Sequence, residues 1–545
     1  MGLKHDLATF PRDWRNPAPF PAPPADFNFA FDIIDDRAAY ADKTALVAFD
    51  ADGGNLREVS FSVLSRASTR FGEALMRLGL AKGDYAVLIA GRVPEWHEAF
   101  FGCLKAGVVA MPGTNLLTAK DIAQRIQRAG AKAAIVSAAH VEKIDAIRAE
   151  CPTLEVCIVI GEAGEGWLSY AALRDAEDGT SSRGAFPATA ATDEMMTYFT
   201  SGTTAKPKMV PRDHGYAWAH ALSGLYWMDL REDDRHWAIT DTGWAKAAWG
   251  LLFPQFMLGA AVVLHDSPGG FDGPLFLRMI GEAKVTTFCA PPTIYRLFGQ
   301  VEMGGHDLSS LRRCISAGEP LNPEAMRYWR DHTGTTIAEG YGQTETIAVA
   351  GNFPGLPTRP GSMGKPTPGF DVDAVDDEGN RCPVGEIGHL AIRTEGAAPP
   401  GLFPGYRKDD GLDRSAFRNG WYYSGDTIWR DEDGYLWFVG RSDDVISSAG
   451  YRISPFEVES ALLEHPAVVE SAVVGVADEE RGQLVKAFVV LAEGFAASDA
   501  LTGEIQDFCK AETAPYKYPR IIEYMEALPK TVSGKIRRVE LRARR

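Results

Sequence analysis

Apolar positions along the chain follow two rhythms. Over 61–78 and again over 95–106 they recur at the spacing of an amphipathic helix. Short unbroken apolar runs of strand length stand at 85–90, 133–137, 156–160, 260–264, 286–290 and 314–317, with helix-period segments between several of them. Strand and helix in alternation predict a parallel α/β sheet, whose strands are buried on both faces. From 370 to 439 the rhythm changes. Alternating runs at 370–375, 388–393 and 435–439 are separated by Asp/Gly turns, which predicts an antiparallel β-rich subdomain. After Gly440 the pattern starts again: helix 455–464, strand 469–476, strand 486–491, helix 502–511 and a short strand near Ile521. This predicts a small α+β unit of about 100 residues, a usual domain size.

The fold class expected is therefore α/β: a large multi-layer N-terminal domain with a β-rich subdomain, and a small C-terminal α+β domain. The boundary falls at Arg441-Ser-Asp-Asp444, giving domains 1–442 and 443–545. The Pro-rich stretch 11–24 predicts extended chain.

With 545 residues the chain is too long for one core, which usually stops near ~250–300 residues. A net charge of −17 argues against nucleic acid or an anionic membrane as a general partner, though not against a local basic site. The seven cysteines are scattered and no CxxC occurs, so neither a disulfide framework nor a zinc site is expected. No N-terminal apolar segment resembles a signal peptide, and no apolar run approaches the ~18 residues of a membrane span. Together these predict a reducing, cytoplasmic setting.

The densest chemistry lies between Tyr198 and Lys208. Thr200, Ser201, Gly202, Thr203, Thr204 and Lys208 sit in a loop rich in hydroxyls and free N–H groups, which can wrap phosphate oxygens while a lysine adds point charge. The GxxxxGK[ST] spacing of a Walker A loop is absent. The glycine cluster 161–166 carries two glutamates that would repel phosphate, and is expected to be a surface turn.

The loop resembles the signature of the AMP-forming acyl-adenylate enzymes, which include acyl-CoA synthetases, luciferases and peptide-synthetase adenylation domains. Five further motifs follow in the family's order: Tyr341-Gly-Gln-Thr-Glu-Thr346, Trp421-Tyr-Tyr-Ser-Gly-Asp426, Gly440-Arg-Ser-Asp-Asp-Val-Ile446, Gly450-Tyr-Arg-Ile-Ser-Pro-Phe-Glu-Val-Glu459 and Pro529-Lys-Thr-Val-Ser-Gly-Lys535. Within the family the chain looks most like the medium-chain acyl-CoA synthetases. Phe27-Asn-Phe29, Val93-Pro-Glu-Trp96, Met111-Pro-Gly-Thr114, Asp241-Thr-Gly-Trp244 and the stretch 513–520 carry that likeness over nearly the whole length.

The resemblance implies ATP, Mg²⁺ and coenzyme A, and a role for each matching residue. Lys535, Thr344 and Glu345 are implied as catalytic, with Glu345 the metal ligand, a hard oxygen of the kind Mg²⁺ takes beside phosphate. Gly318, Glu319, Glu339, Gly340, Tyr341, Gly342 and Gln343 would line the nucleotide, Tyr341 by stacking. Asp426 would accept from the ribose hydroxyls, with Arg441 and Arg452 contacting ribose and phosphate. Trp244 and Gly340 would wall the acyl pocket. Gly450, Tyr451, Arg481, Lys510 and Tyr518 would meet nucleotide or coenzyme A, and Asp443 would be a hinge between the domains. Taken singly, Trp244 could equally be a core tryptophan, Asp426 a turn cap, and Arg481 or Lys510 a surface ion pair. The chain departs from the family at Ala205, where glycine is usual.

The expected activity is an ATP-dependent acyl-CoA synthetase for a medium-chain aliphatic or an aromatic acid such as benzoate. A short or branched acid, or transfer to an acceptor other than coenzyme A, is the alternative. The partners expected are small molecules, the acid with ATP and coenzyme A, without nucleic acid or a membrane span. A homo-oligomer stays open.

Overall fold

The computed structural model describes residues 7, 9–40, 42–200, 207–267, 270–318, 321, 323–396, 398–448, 451–478, 481–513, 516–530 and 536–544. Two compact units emerge. The first comprises 1–360, 364–370 and 396–416; the second comprises 361–363, 371–395 and 417–545. The expected boundary at 442/443 lies inside the second unit.

The first unit contains two mostly parallel runs of strands. In one, Ile337–Gly342, Arg313–Ala317, Thr287–Cys289, Arg235–Ala238, Ala261–His265 and Thr44–Phe49 lie side by side, every neighbouring pair parallel. Antiparallel strands Ala348–Gly351 and Leu56–Ser60 flank them. In the other, Glu194–Thr200, Val109–Pro112, Tyr85–Ile89, Ala133–Ser137 and Val156–Ile160 run parallel. The strand Lys208–Asp213 turns back antiparallel on Glu194–Thr200, and Tyr406–Lys408 pairs with it in turn. The apolar runs become these strands because helices cover them. Phe276, Leu277 and Ile280 of helix Gly273–Glu282 and Trp329 of helix Pro323–Thr333 close one core over Val263 and Phe288. Ile122 and Ile126 of helix Ala119–Ala129 help close another over Val87 and Val136. The long helix Phe61–Arg77 starts on Ser60, whose hydroxyl accepts from Val63 N.

The second unit has an antiparallel run Val372–Val375, Gly388–Arg393, Trp421–Arg430 and Leu436–Arg441, as the Asp/Gly turns predicted. It also has a three-stranded sheet of Val468–Asp478, Gly482–Leu491 and Ile521–Tyr524. Helices Pro455–Leu463 and Asp499–Glu512 pack on that sheet through Val458, Leu462, Ile505 and Cys509.

All seven cysteines are unbridged; six are buried and Cys382 is half-buried. Burial pushes the thiols of Cys103 and Cys289 up to about 12, and those of Cys314 and Cys509 up to about 11. Among the described residues no helix is long and apolar enough to cross a membrane.

Candidate functional site

In the first unit the implied nucleotide and acyl residues gather where parallel strands end. Gly318 follows Arg313–Ala317, Gln343 to Glu345 follow Ile337–Gly342, and Asp241 to Trp244 follow Arg235–Ala238 shortly after it ends. Strands that share a direction bring their carboxyl ends to one edge, where ligands of α/β sheets bind. From the other sheet, Thr114 comes after Val109–Pro112, and its hydroxyl donates to Asp241 Oδ2 over 2.9 Å. Asp241 Oδ1 accepts from Gly243 N at 2.8 Å, and Thr242 Oγ1 donates to Ala90 O at 2.7 Å. Gly243 lies so close to this neighbour that a Cβ there would stand 1.9 Å from Thr114 N. Two motifs that lie far apart in sequence are thus one tied loop pair. Trp244 rides on it, half-buried and outside the fully buried core.

The strand Ile337–Gly342 is shaped by Trp227. A Cβ on Gly340 would come within 2.4 Å of the Trp227 ring, whose Nε1 donates to Ala338 O over 3.1 Å. Only glycine fits, so the backbone at 340 is bare. Glu339 is buried, with Oε1 accepting from Leu321 N at 2.9 Å and its carbonyl accepting from Asn352 N and Nδ2. Tyr341, Gln343 and Thr344 are half-buried and Gly342 is exposed. Gly318 adopts φ +105°, a left-handed conformation that favours glycine.

Glu345 is 8% exposed, and no acidic residue or histidine joins it in a metal cluster: among the described residues no group of three His, Cys, Asp or Glu could hold a metal. Its Oε1 accepts from Tyr406 Oη at 2.7 Å, while Oε2 takes no hydrogen bond from a described residue. Its carbonyl accepts from Arg212 Nη1 at 3.1 Å and Phe403 N at 2.9 Å. One available carboxylate oxygen suits a Mg²⁺ that arrives on a nucleotide's phosphates, and does not suit an all-protein metal cage. Thr200 and Lys208 close the ladder of the hairpin, paired across from one another, and Lys208 Nζ lies 4.5 Å from the Tyr406 ring centroid. Ser201, Gly202, Thr203, Thr204, Ala205 and Glu319 lie outside the described residues.

In the second unit, Asp426 and Arg441 stand in register on neighbouring antiparallel strands, and Arg441 Nη1 donates to Asp426 Oδ1 over 3.0 Å. Asp426 is a strand residue and not a turn cap. Tyr451 is exposed and stacks on Tyr516 with centroids 4.2 Å apart. Lys510 Nζ sits 4.5 Å from the Tyr518 ring centroid and pairs with Asp507, and Arg520 Nη1 donates to Tyr518 Oη over 3.0 Å. Arg481 N donates to Asp478 Oδ1. Asp443 lies in an exposed turn whose carbonyl accepts from Arg542 Nη2 at 3.1 Å, and Arg542 also pairs with Asp444. Arg452 belongs to strand Tyr451–Ile453; its side chain, Gly450 and Lys535 lie outside the described residues. Arg212, Phe403 and Tyr406 were not expected from the sequence, and Arg520 was noted only as the last residue of the stretch 513–520, with no role of its own.

A family model described as AMP-binding enzyme matches residues 34–407, and one described as AMP-binding enzyme C-terminal domain matches 457–535. The chain belongs to the AMP-binding enzyme family. Over 530 residues it is 42% identical to the mitochondrial acyl-coenzyme A synthetase ACSM3 of Mus musculus, spanning 95% of this chain and 90% of that one. The crystal structure of the anthranilate CoA ligase AuaEII with anthranoyl-AMP superposes with a TM-score of 0.86 at 35% identity, covering 96% and 98% of the two chains. A benzoate CoA ligase from Burkholderia xenovorans LB400 gives a TM-score of 0.81 at 30% identity, covering 95% and 100%. Acyl-CoA synthetases of this family use ATP, Mg²⁺ and coenzyme A, and this chain is an AMP-forming ligase of that class.

Proposed function

We propose that the protein activates a medium-chain aliphatic or an aromatic carboxylic acid and transfers it to coenzyme A. In the first half-reaction a carboxylate oxygen attacks the α-phosphorus of ATP and the bond to pyrophosphate breaks, leaving acyl-AMP. In the second the coenzyme A sulfur attacks the acyl carbon, the thiol proton goes to solvent, and the bond to AMP breaks. A carboxylate nucleophile needs no general base. Negative charge gathers at phosphorus, so the protein's task is to hold donors and cations in place before it does.

The observation that carries this reading is the carboxylate of Glu345, buried just past the end of a parallel strand, whose Oε2 takes no hydrogen bond from a described residue. On it we assign Mg²⁺ to that oxygen, where the ion would neutralise phosphate charge. Thr344 donates to the α-phosphate, and the loop 200–208 holds the remaining phosphate oxygens. Tyr341 stacks on adenine, which Gly318, Glu319 and the segment 339–343 also line. Asp426 and Arg441 take the ribose, and Arg452 the phosphate side. Trp244, with the bare backbone of Gly340, bounds the acyl pocket. Lys535 draws carboxylate and α-phosphate together. Segment 443–545 turns about Asp443 between the half-reactions. It presents Lys535 first and then the loop at Gly450 and Tyr451, with Arg481, Lys510 and Tyr518 meeting coenzyme A. The aromatic preference is supported by the two structural relatives named for anthranilate and benzoate. The unbridged cysteines suit a reducing compartment, for which we propose the cytoplasm, although the curated relatives carry the word mitochondrial in their names.

AMP release assayed with a panel of carboxylates, with and without coenzyme A, tests the reading. Release that needs both an acid and coenzyme A is expected. Steady AMP release with acid alone would point to another acceptor, and none under any condition to a chain without catalysis.

A further inference from the structure

Glu345 is fastened at both ends by residues that belong to none of the nucleotide motifs. Arg212, 2% exposed, holds its carbonyl and spends its other terminal nitrogen on Gly401 O at 2.9 Å. Tyr406 holds Oε1 of its carboxylate. The two fasteners lie on adjacent strands: Arg212 on Lys208–Asp213, and Tyr406 at the head of Tyr406–Lys408, which pairs with it through Arg407 and Met209. The face of the Tyr406 ring carries Lys208 Nζ at 4.5 Å, a cation that polarises the phenol and strengthens its O–H as a donor. One side chain therefore touches both the phosphate loop's exit and the acidic residue of the next motif.

A carboxylate can bind a cation through one oxygen or two. Two-oxygen binding suits Ca²⁺, with bonds of about 2.3–2.6 Å and flexible geometry, whereas Mg²⁺ demands near-octahedral ligands at about 2.0–2.1 Å. A phenol on Oε1 fixes the plane of the carboxylate and leaves Oε2 alone to face a metal. We infer that Tyr406 is a positioning residue that makes Glu345 a single-oxygen ligand and so tunes the site to Mg²⁺ over larger ions. The inference rests on the assignment of Glu345 as the metal ligand.

Tyr406→Phe keeps the ring under Lys208 and removes only the hydroxyl. The readout is calorimetric titration of ATP onto the enzyme at graded Mg²⁺ or Ca²⁺, which needs no turnover, with Glu345→Gln and the thermal midpoint measured in parallel. Losing such an outer partner typically weakens metal affinity 10–100-fold. In Tyr406→Phe the Mg²⁺ needed for half-maximal ATP binding should rise about tenfold, the Ca²⁺ requirement should rise less, and the thermal midpoint should hold. Unchanged Mg²⁺ and Ca²⁺ requirements in Tyr406→Phe, with Mg²⁺ dependence lost in Glu345→Gln, would overturn the role of Tyr406 alone. Equal weakening for both ions with a lowered midpoint would mark Tyr406 as merely structural and overturn it too. Wild-type Mg²⁺ dependence in Glu345→Gln would remove the metal assignment itself.

Discussion

Asp426 and Arg441 face one another in register across an antiparallel strand pair, and one guanidinium nitrogen reaches one carboxylate oxygen over 3.0 Å. The arginine side chain is nearly half exposed while the aspartate is buried, so the pair orients a carboxylate that has little access to solvent. If Asp426 accepts from the ribose, Asp426→Asn forfeits charge-assisted bonds worth about 1.5–3 kcal/mol each. The KM for ATP should rise about tenfold or more in pyrophosphate exchange, with the KM for the acid little changed. An unaltered ATP requirement would leave Asp426 a purely structural residue.

Trp244 should set acyl preference. It is half-buried on the tied loop at Asp241 and lies outside the fully buried core. Trp244→Ala should shift activity toward longer or bulkier acids while ATP binding holds. A methylene's worth of pocket is worth about 1–3 kcal/mol, so the selectivity ratio should move by ~10-fold or more. A panel of carboxylates decides it, and an unchanged profile returns Trp244 to a packing role.

Lys535→Ala should cripple acyl-AMP formation by about 10²–10³ and spare thioester formation from supplied acyl-AMP, since losing a charge-stabilising contact typically costs ~3–4 kcal/mol. Arginine should rescue poorly because its planar fork does not replace a compact ammonium. Near-normal pyrophosphate exchange in the alanine variant would refute the assignment.

Asp443→Pro should do the reverse. Proline fixes φ near about −65°, and a hinge needs large backbone changes at few residues. Thioester formation should slow far more than adenylation. Equal losses in the two half-reactions, measured apart, would argue against a hinge here.

Three buried histidines predict the pH limit of stability. Burial holds His97 and His214 down to about 4 and His236 down to about 3. His97 Nε2 bonds Leu251 O at 2.9 Å, and His236 Nδ1 bonds Thr287 Oγ1 at 2.7 Å. Each is neutral when folded and has its ordinary value near 6.5 when unfolded. Below that the unfolded chain takes up protons that the folded one refuses. Stability is therefore full above pH ~6.5 and falls as the pH drops toward ~4, by up to about 1.4 kcal/mol per pH unit for each histidine. Urea midpoints between pH 7 and 4.5 should show this slope, flattened in His236→Asn. A slope indifferent to the substitution would mean that His236 does not take part.

Much of the fold was legible because a buried parallel strand must be apolar throughout. The runs at 133–137 and 156–160 are strands with those bounds. The tie between Thr114 and Asp241 was not legible, since each lies in a loop whose partner is 127 residues away. Tyr406 escaped for the same reason. A tyrosine after a glycine carries no chemical signal until strand pairing sets it beside Lys208 and Glu345. Arg441 was read as a ligand contact on its motif, but its pairing with Asp426 depends on strand register, which the motif does not encode.

The inaccessible thiols make the chain ready for spectroscopy. Six of the seven cysteines are buried, and those at 103, 289, 314 and 509 are held far above neutral pH as thiols. Reaction with a maleimide needs the thiolate and access to it. Replacing Cys382 alone should leave a background nearly silent to such reagents. Fluorophores on single cysteines placed at exposed positions before and after Asp443 would then report, by energy transfer during turnover, whether the distance between them changes from one half-reaction to the next.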